Sequence, residues 1–317
     1  MLARIIASLL LVASPLAAQT TKVFDVPKGA KPHDVSPGAG GTVWYTAQGL
    51  GALGILDPAT GKVEQVPLGE GSAPHGVIMG PDGAAWITDS GLNAIVRWDP
   101  TTRALKTWKL PEDTGYANLN TAAFDRDGVI WFTGQSGFYG KVDPRTDEVR
   151  VWAAPKGRGP YGIDASPDGE IFYVSLAGSH LAKIDRATGE ARMIEHPESG
   201  QGARRVWADS KGDLWVSEWN TGYLARYVPA TKAWSRWKLP GEKPRAYAVY
   251  VDERDMVWVS DWGANATLAF DPKTEKFVTT IPGSMAGANV RQILGRKGEV
   301  WLPESAHDRL MLVQTGG

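Results

Sequence analysis

The chain has 317 residues, with 34 basic and 35 acidic side chains, a formal net charge of −1 and no cysteine. A near-neutral chain without a Lys/Arg block offers no electrostatic footprint for nucleic acid, and without cysteine it has no disulfide, thiolate metal site or lipid-modified cysteine. Stability must come from packing, which a chain of this size can supply because large domains bury most of their apolar surface.

Residues 1–18 differ from the rest. Arg4 gives a basic start, Ile5 to Val12 is an apolar run, and Ser14-Pro15-Leu16-Ala17-Ala18 is a small-residue end in which only Leu16 is off pattern. This reads as a secretory signal peptide cleaved after Ala18, too short to span a bilayer. The remaining chain, 19–317, is expected in the periplasm or outside the cell, and no other stretch is apolar enough to cross a membrane.

From Lys22 onward one pattern recurs. Its fullest copy reads Pro74-His75-Gly76-Val77, Pro81-Asp82-Gly83, Ala85-Trp86-Ile87-Thr88-Asp89 and Ile95-Val96-Arg97-Trp98-Asp99-Pro100. With its tryptophan as marker, the equivalent positions are Trp44, Trp86, Trp131, Phe172, Trp215, Trp258 and Trp301, spaced 41 to 45 residues apart. Each unit holds short β-prone runs separated by Gly, Pro, Asp and Asn, with no helical apolar stripe. A repeat of this length predicts an all-β, seven-bladed β-propeller of four-stranded antiparallel blades.

Within a unit, the first strand runs into Pro81-Asp82-Gly83, Arg126-Asp127-Gly128, Pro167-Asp168-Gly169, Ser210-Lys211-Gly212 or Arg296-Lys297-Gly298. These read as two-residue hairpins whose glycine supplies positive φ. The second strand carries the marker aromatic, expected to pack between blades. The third ends in Asp-Pro turns such as Asp57-Pro58 and Asp99-Pro100, and the fourth ends in a proline that blunts the edge. The last unit lacks an outer strand, whereas Lys22 to Pro27 has the outer-strand pattern ahead of the first unit. The N-terminal strand is therefore expected to close the ring.

Antiparallel neighbours joined by a tight turn bring the start of strand one and the end of strand two to a common rim of the central channel. Eleven residues before each marker stand His33, His75, Asn120, Tyr161, Arg204, Tyr247 and Val290, with Arg205 and Arg291 one step further. Three residues after the markers stand Ala47, Asp89, Gly134, Ser175, Glu218, Asp261 and Glu304. The first set holds convergent polar groups of the kind that fix a ligand. His33 and His75 occupy equivalent places in adjacent blades and suit acid–base chemistry, with Asp89 or Gln48 to orient an imidazole. Asn120, Tyr161, Arg204, Tyr247 and Arg291 are candidate substrate-binding residues, and Trp262 is a candidate aromatic wall with Trp219. Asp261 and Glu304 are candidate metal ligands, an oxygen-rich set that suits Mg²⁺ or Ca²⁺. The structural alternatives are rim histidines bonded to loops, solvated carboxylates and inter-blade tryptophans. His180, His196 and His307 read as surface or structural residues.

Pro74-His75-Gly76-Val77, Pro160-Tyr161-Gly162-Ile163, Trp131-Phe132-Thr133, Trp215-Val216-Ser217-Glu218 and Trp258-Val259-Ser260-Asp261-Trp262-Gly263-Ala264-Asn265 together resemble the streptogramin lyase (virginiamycin B lyase) family of seven-bladed propellers. The likeness covers the whole mature chain. It implies linearisation of a cyclic depsipeptide antibiotic by Mg²⁺-dependent elimination at its ester: a cation polarises the carbonyls, a histidine takes or relays the proton, and a carboxylate leaves. It also places the family's two histidines in the last two blades, where this chain has Tyr247 and Val290, with Glu304 approximating a glutamate.

The leading expectation is a monomeric, metal-assisted carbon–oxygen lyase acting on a small-molecule or peptide ligand at the channel rim, such as a cyclic depsipeptide or related ester. A non-catalytic ligand- or protein-binding propeller and a metal-dependent lactonase are the alternatives.

Overall fold

The computed structural model describes residues 19–316, so the expected signal peptide lies outside the described residues. Seven four-stranded antiparallel sheets follow one another around a ring. Six are built from consecutive strands, such as Pro74–Met79, Ala85–Asp89, Ala94–Trp98 and Leu105–Lys109 in the second blade. The seventh takes its outer strand from the other end of the chain. Thr20–Asp25 pairs antiparallel with Arg309–Gln314, from Thr20 opposite Gln314 to Asp25 opposite Arg309. Phe24 packs against Trp301 across this joint, with ring centroids 5.6 Å apart. Among the described residues, no helix is long and apolar enough to cross a membrane.

The marker aromatics are the inter-blade core. Trp131, Trp215, Trp258 and Trp301 are fully buried, and each cluster mixes residues of neighbouring blades, as where Trp301 and Leu310 meet Val35, Val43 and Tyr45. Their indole N–H groups are satisfied by the carboxylates of the preceding turns: Trp131 donates to Asp125 at 2.9 Å, and Trp215 and Trp258 donate to Asp209 and Asp252 at 3.0 Å. A buried N–H left without such an acceptor would cost roughly 1–3 kcal/mol. Lys297-Gly298, between the paired Arg296 and Glu299, is the expected two-residue hairpin, whereas the others are one residue longer, as in the second blade. Gly80 N–H bonds Ala84 O at 2.9 Å and Gly83 N–H bonds Gly80 O at 3.0 Å, so the loop has three residues, with Gly83 left-handed at φ 74°. A three-residue loop of this kind ends on the glycine that a two-residue loop would need centrally.

Two devices aim the channel residues. The inner strand of each of the first six blades breaks register at the rim, between Pro32 and Val35, Pro74 and Gly76, Leu119 and Ala122, Pro160 and Ile163, Ala203 and Arg205, and Ala246 and Val249. A bulge re-aims side chains that strict alternation would separate, which is why His33 and Asp34 serve one site. A row of hydroxyls then fixes five of these bulges and bonds the following blade. Thr46, Thr88, Ser217 and Ser260 donate to the carbonyls of His75, Asn120, Tyr247 and Val290 at 2.8, 2.5, 2.7 and 3.2 Å, and Thr133 donates to Tyr161. The fourth and seventh blades have Val174 and Pro303 at this position instead.

Candidate active site at the channel mouth

The inner strands begin at what we term the upper mouth and run toward their hairpins at the lower mouth. At the upper mouth the His33 and His75 rings stack with centroids 3.8 Å apart, tilted by 46°. His33 Nδ1 lies 2.8 Å from Asp34 Oδ1, and His75 Nε2 lies 3.2 Å from Asn120 Nδ2. The amide can only donate here, which places the His75 proton on Nδ1. Across the mouth, Tyr161 and Tyr247 face each other with hydroxyls 3.1 Å apart. Arg204 donates to Tyr161 at 2.8 Å and Arg291 to Tyr247 at 3.2 Å. Above them, Arg204 lies over Tyr247 at 3.9 Å and over Trp219 at 4.5 Å, while Trp262 stacks on Tyr247 at 4.7 Å and 6°. Cation–π and stacking contacts hold this layer.

Below it a single side chain crosses the channel. Arg205, only 1% exposed, reaches from the fifth blade to Asp34 of the first at 3.3 Å and to Thr121 of the third. Thr121 in turn donates to Asn120 Oδ1 at 2.7 Å, so the crossing guanidinium also braces the amide that meets His75. Gly162 lets the inner strand of the fifth blade come close: a Cβ there would lie 2.6 Å from Arg205 Cα and 2.9 Å from Val206 N.

The electrostatics follow from burial beside three guanidiniums. Burial first, then the charges of Arg291, Arg205 and Arg204, holds the His33 imidazole well below its ordinary value. Burial and then His33 do the same to His75. Both rings are therefore neutral at physiological pH. Burial raises Asp34, opposed by Arg205 and His75. Burial alone would raise Tyr247 as well, but Arg204, Arg291 and Arg205 outweigh it and bring the phenol down to about 7. Tyr161, buried and facing Tyr247, is pushed up to about 12.

The structure thus brings together His33, His75, Asn120, Tyr161, Arg204, Tyr247, Arg291 and Trp262. The four carboxylates of the second set are engaged elsewhere, Glu218 with the Arg236 guanidinium. Asp89 accepts from Ser72 Oγ at 2.5 Å and from the Ala73 and Leu92 N–H groups at 2.9 and 3.0 Å, so the carboxylate that meets an imidazole is Asp34. Asp261 accepts from the N–H groups of Arg245 and Gly263, and Glu304 takes the N–H of Ser284 at 2.7 Å together with its hydroxyl. Each closes its own loop. His180, expected to be a surface or structural residue, is buried at 1% exposure beside Tyr173. Sequence reading missed Asp34 and Thr121; taking both residues of each bulge, as the doublets His33-Asp34 and Arg204-Arg205 invite, would have found the first.

Among the described residues, the metal-ligand types that converge are His33, Asp34 and His75. Two imidazole nitrogens and one carboxylate already paired with Arg205, in the field of three guanidiniums, do not fit Mg²⁺, which asks for oxygen donors and waters in an octahedron.

The model of the virginiamycin B lyase family matches residues 12–259. The chain belongs to the virginiamycin B lyase family. No curated protein sequence matches it. Its structure is similar to a streptogramin B lyase, with TM-score 0.86 and 18% identity over 95% of this chain and 99% of that one. It is likewise similar to virginiamycin B lyase from Staphylococcus aureus, with TM-score 0.85 and 17% identity over 93% and 99%. The extracellular domain of a hybrid two-component system from B. thetaiotaomicron shares the ring, with TM-score 0.75 and 16% identity over 94% of this chain and 43% of that one. At such identities the likeness to these structures is one of fold. This chain carries its imidazole pair in the first two blades, not in the last two as the resemblance implied.

Proposed function

We propose that the chain is a secreted or periplasmic carbon–oxygen lyase that opens a cyclic depsipeptide or related ester by elimination at the upper mouth. The observation that carries this reading is the neutral imidazole pair, with His33 bonded to Asp34 and stacked on His75, set opposite phenols and guanidiniums. Asp34 accepts a hydrogen bond from the Nδ1–H of His33 and leaves the Nε2 lone pair as the base, the arrangement that orients imidazoles in acyl-transfer triads. The base removes the proton α to the carbonyl of the residue that supplies the ester's alcohol oxygen, the α–β double bond forms, and the β-carbon–oxygen bond breaks with its electron pair on the departing carboxylate. Tyr161 and Arg204 stabilise the carbonyl oxygen as charge develops, and Arg291 receives the carboxylate. His75 buttresses the His33 ring. Guanidiniums supply the positive charge, and no cation is required at these residues.

Mass spectrometry of quinupristin, the molecule present with a catalytically inactive virginiamycin B lyase from Staphylococcus aureus, after incubation with the mature protein tests this. The expected result is a linear product of unchanged mass, formed equally with and without chelator, and about 10²–10⁴-fold slower with His33→Asn. Quinupristin that remains cyclic at every protein concentration overturns the reading. The burial of His33 and His75, at 4% and 5% exposure beneath the Arg204 layer, favours a second reading, a non-catalytic binding propeller. That reading is supported if quinupristin binds to saturation without conversion.

A further inference from the structure

Each marker aromatic pairs across its hairpin with one residue of the inner strand. At this repeat position stand Ser36, Ile78, Ala123, Trp207, Tyr250 and Leu294, with Asp164 in the fourth blade. Asp164 is the one carboxylate of the set. All but Tyr250 line a cavity of about 380 Å³ at the lower end of the channel, a size typical of small-molecule sites. Its walls are mostly apolar, and Tyr250 backs them by packing edge-on against Trp207 with ring centroids 5.1 Å apart. None of the upper-mouth imidazoles or phenols lines it.

The other charged groups of the wall are already paired. Arg205 meets Asp34 at 3.3 Å, and Arg296 meets Glu299 at 2.8 Å and the carbonyls of Gly41 and Thr42. Asp164 has no such counter-ion among the described residues. It is partly exposed: Oδ2 accepts the Ala208 N–H at 2.8 Å, while Oδ1 is not sealed and stays open to a ligand. A carboxylate between apolar walls is stabilised by whatever brings it a cation. Trp207 and Phe124, both partly exposed in the same wall, offer ring faces that attract a cation and cover a flat apolar body. The unbalanced charge of the cavity therefore selects a positive head on an apolar frame.

We propose that the lower mouth is a second ligand site, which takes a small arylalkylamine whose ammonium pairs with Asp164 and whose aromatic body lies against Trp207 and the apolar walls. The site is independent of any chemistry at the upper mouth, whose unpaired charges are arginines and would repel such a ligand.

The test is calorimetric titration with tryptamine, alongside tryptophol and indole-3-acetate, which carry the same indole on a neutral and an anionic head. At pH 8 the Asp164 carboxyl, held at about 7, is ionised and the amine keeps its proton. Saturable 1:1 binding of tryptamine is expected, with tryptophol and indole-3-acetate each at least about tenfold weaker. Asp164→Asn should weaken tryptamine by about tenfold or more and leave tryptophol unchanged, whereas Trp207→Leu should weaken both. Melting curves of the two variants show that they remain folded. No saturable binding of tryptamine overturns the proposal. Equal binding of tryptophol or indole-3-acetate overturns the cationic head, and tryptamine affinity indifferent to Asp164→Asn places the probe elsewhere and overturns the site.

Discussion

Asp164 shows how burial alone gives a side chain a working pH. It faces the lower cavity, accepts the Ala208 N–H at 2.8 Å, and its carboxyl is pushed by burial to about 7. Between the ordinary aspartate value and that point, the folded chain keeps a proton that the unfolded chain has lost. Stability therefore falls as pH rises from about 4 to about 7 and levels off above. Asp164→Asn keeps the acceptor and removes the titration, so its melting temperature should gain on the wild type steadily from pH 5 to pH 7 and no further by pH 8. A difference that stays constant across this range contradicts the assignment. Nothing in the sequence distinguishes Asp164 from the turn aspartates, because its environment comes from the ring and not from its neighbours. His33 and His75 were legible because they recur at one repeat position. Asp34, which meets His33, was not, since the bulge that turns it inward leaves no mark in a period-2 pattern.

At the level of strands, the hydroxyl row is the device that keeps the rim in register. Thr88 Oγ1 accepts the Gly76 N–H at 2.9 Å and donates to Asn120 O at 2.5 Å, serving the bulge beside His75 and the blade beyond it. Thr88→Val keeps the shape and strands both backbone groups, which should cost about 1–3 kcal/mol in denaturant unfolding. Thr88→Ser should restore most of it, and a valine variant as stable as the wild type would show that the row carries no load. Strand order, marker burial and outer-strand prolines were readable because they follow from alternation and turn residues. The length of all but the last hairpin was misjudged because Asp-Gly serves two- and three-residue loops alike.

For the molecule as a whole, the repeat period dictated both the blade number and the missing strand. Thr20–Asp25 completes the seventh blade through six paired positions, with Arg309 also bonded to Asp25 at 2.8 Å. Deleting Thr20 to Pro27 exposes that edge and the Trp301 joint, and should lower the melting temperature by many degrees; an unchanged melting curve refutes closure. The division of the channel by Arg205 was hidden, because it joins residues of three blades that share no local pattern. The hydroxyl row has a consequence at this scale. Its bonds chain the first four blades into one arc and the last three into another, and stop where Val174 and Pro303 stand. His33, His75 and Tyr161 ride on the first arc, whereas Arg204, Tyr247 and Arg291 ride on the second. The upper mouth is thus a jaw whose imidazoles and cationic arginines belong to different halves, held at the two seams without a hydroxyl by the Asp164–Ala208 bond and the Asp34–Gln292 bridge instead.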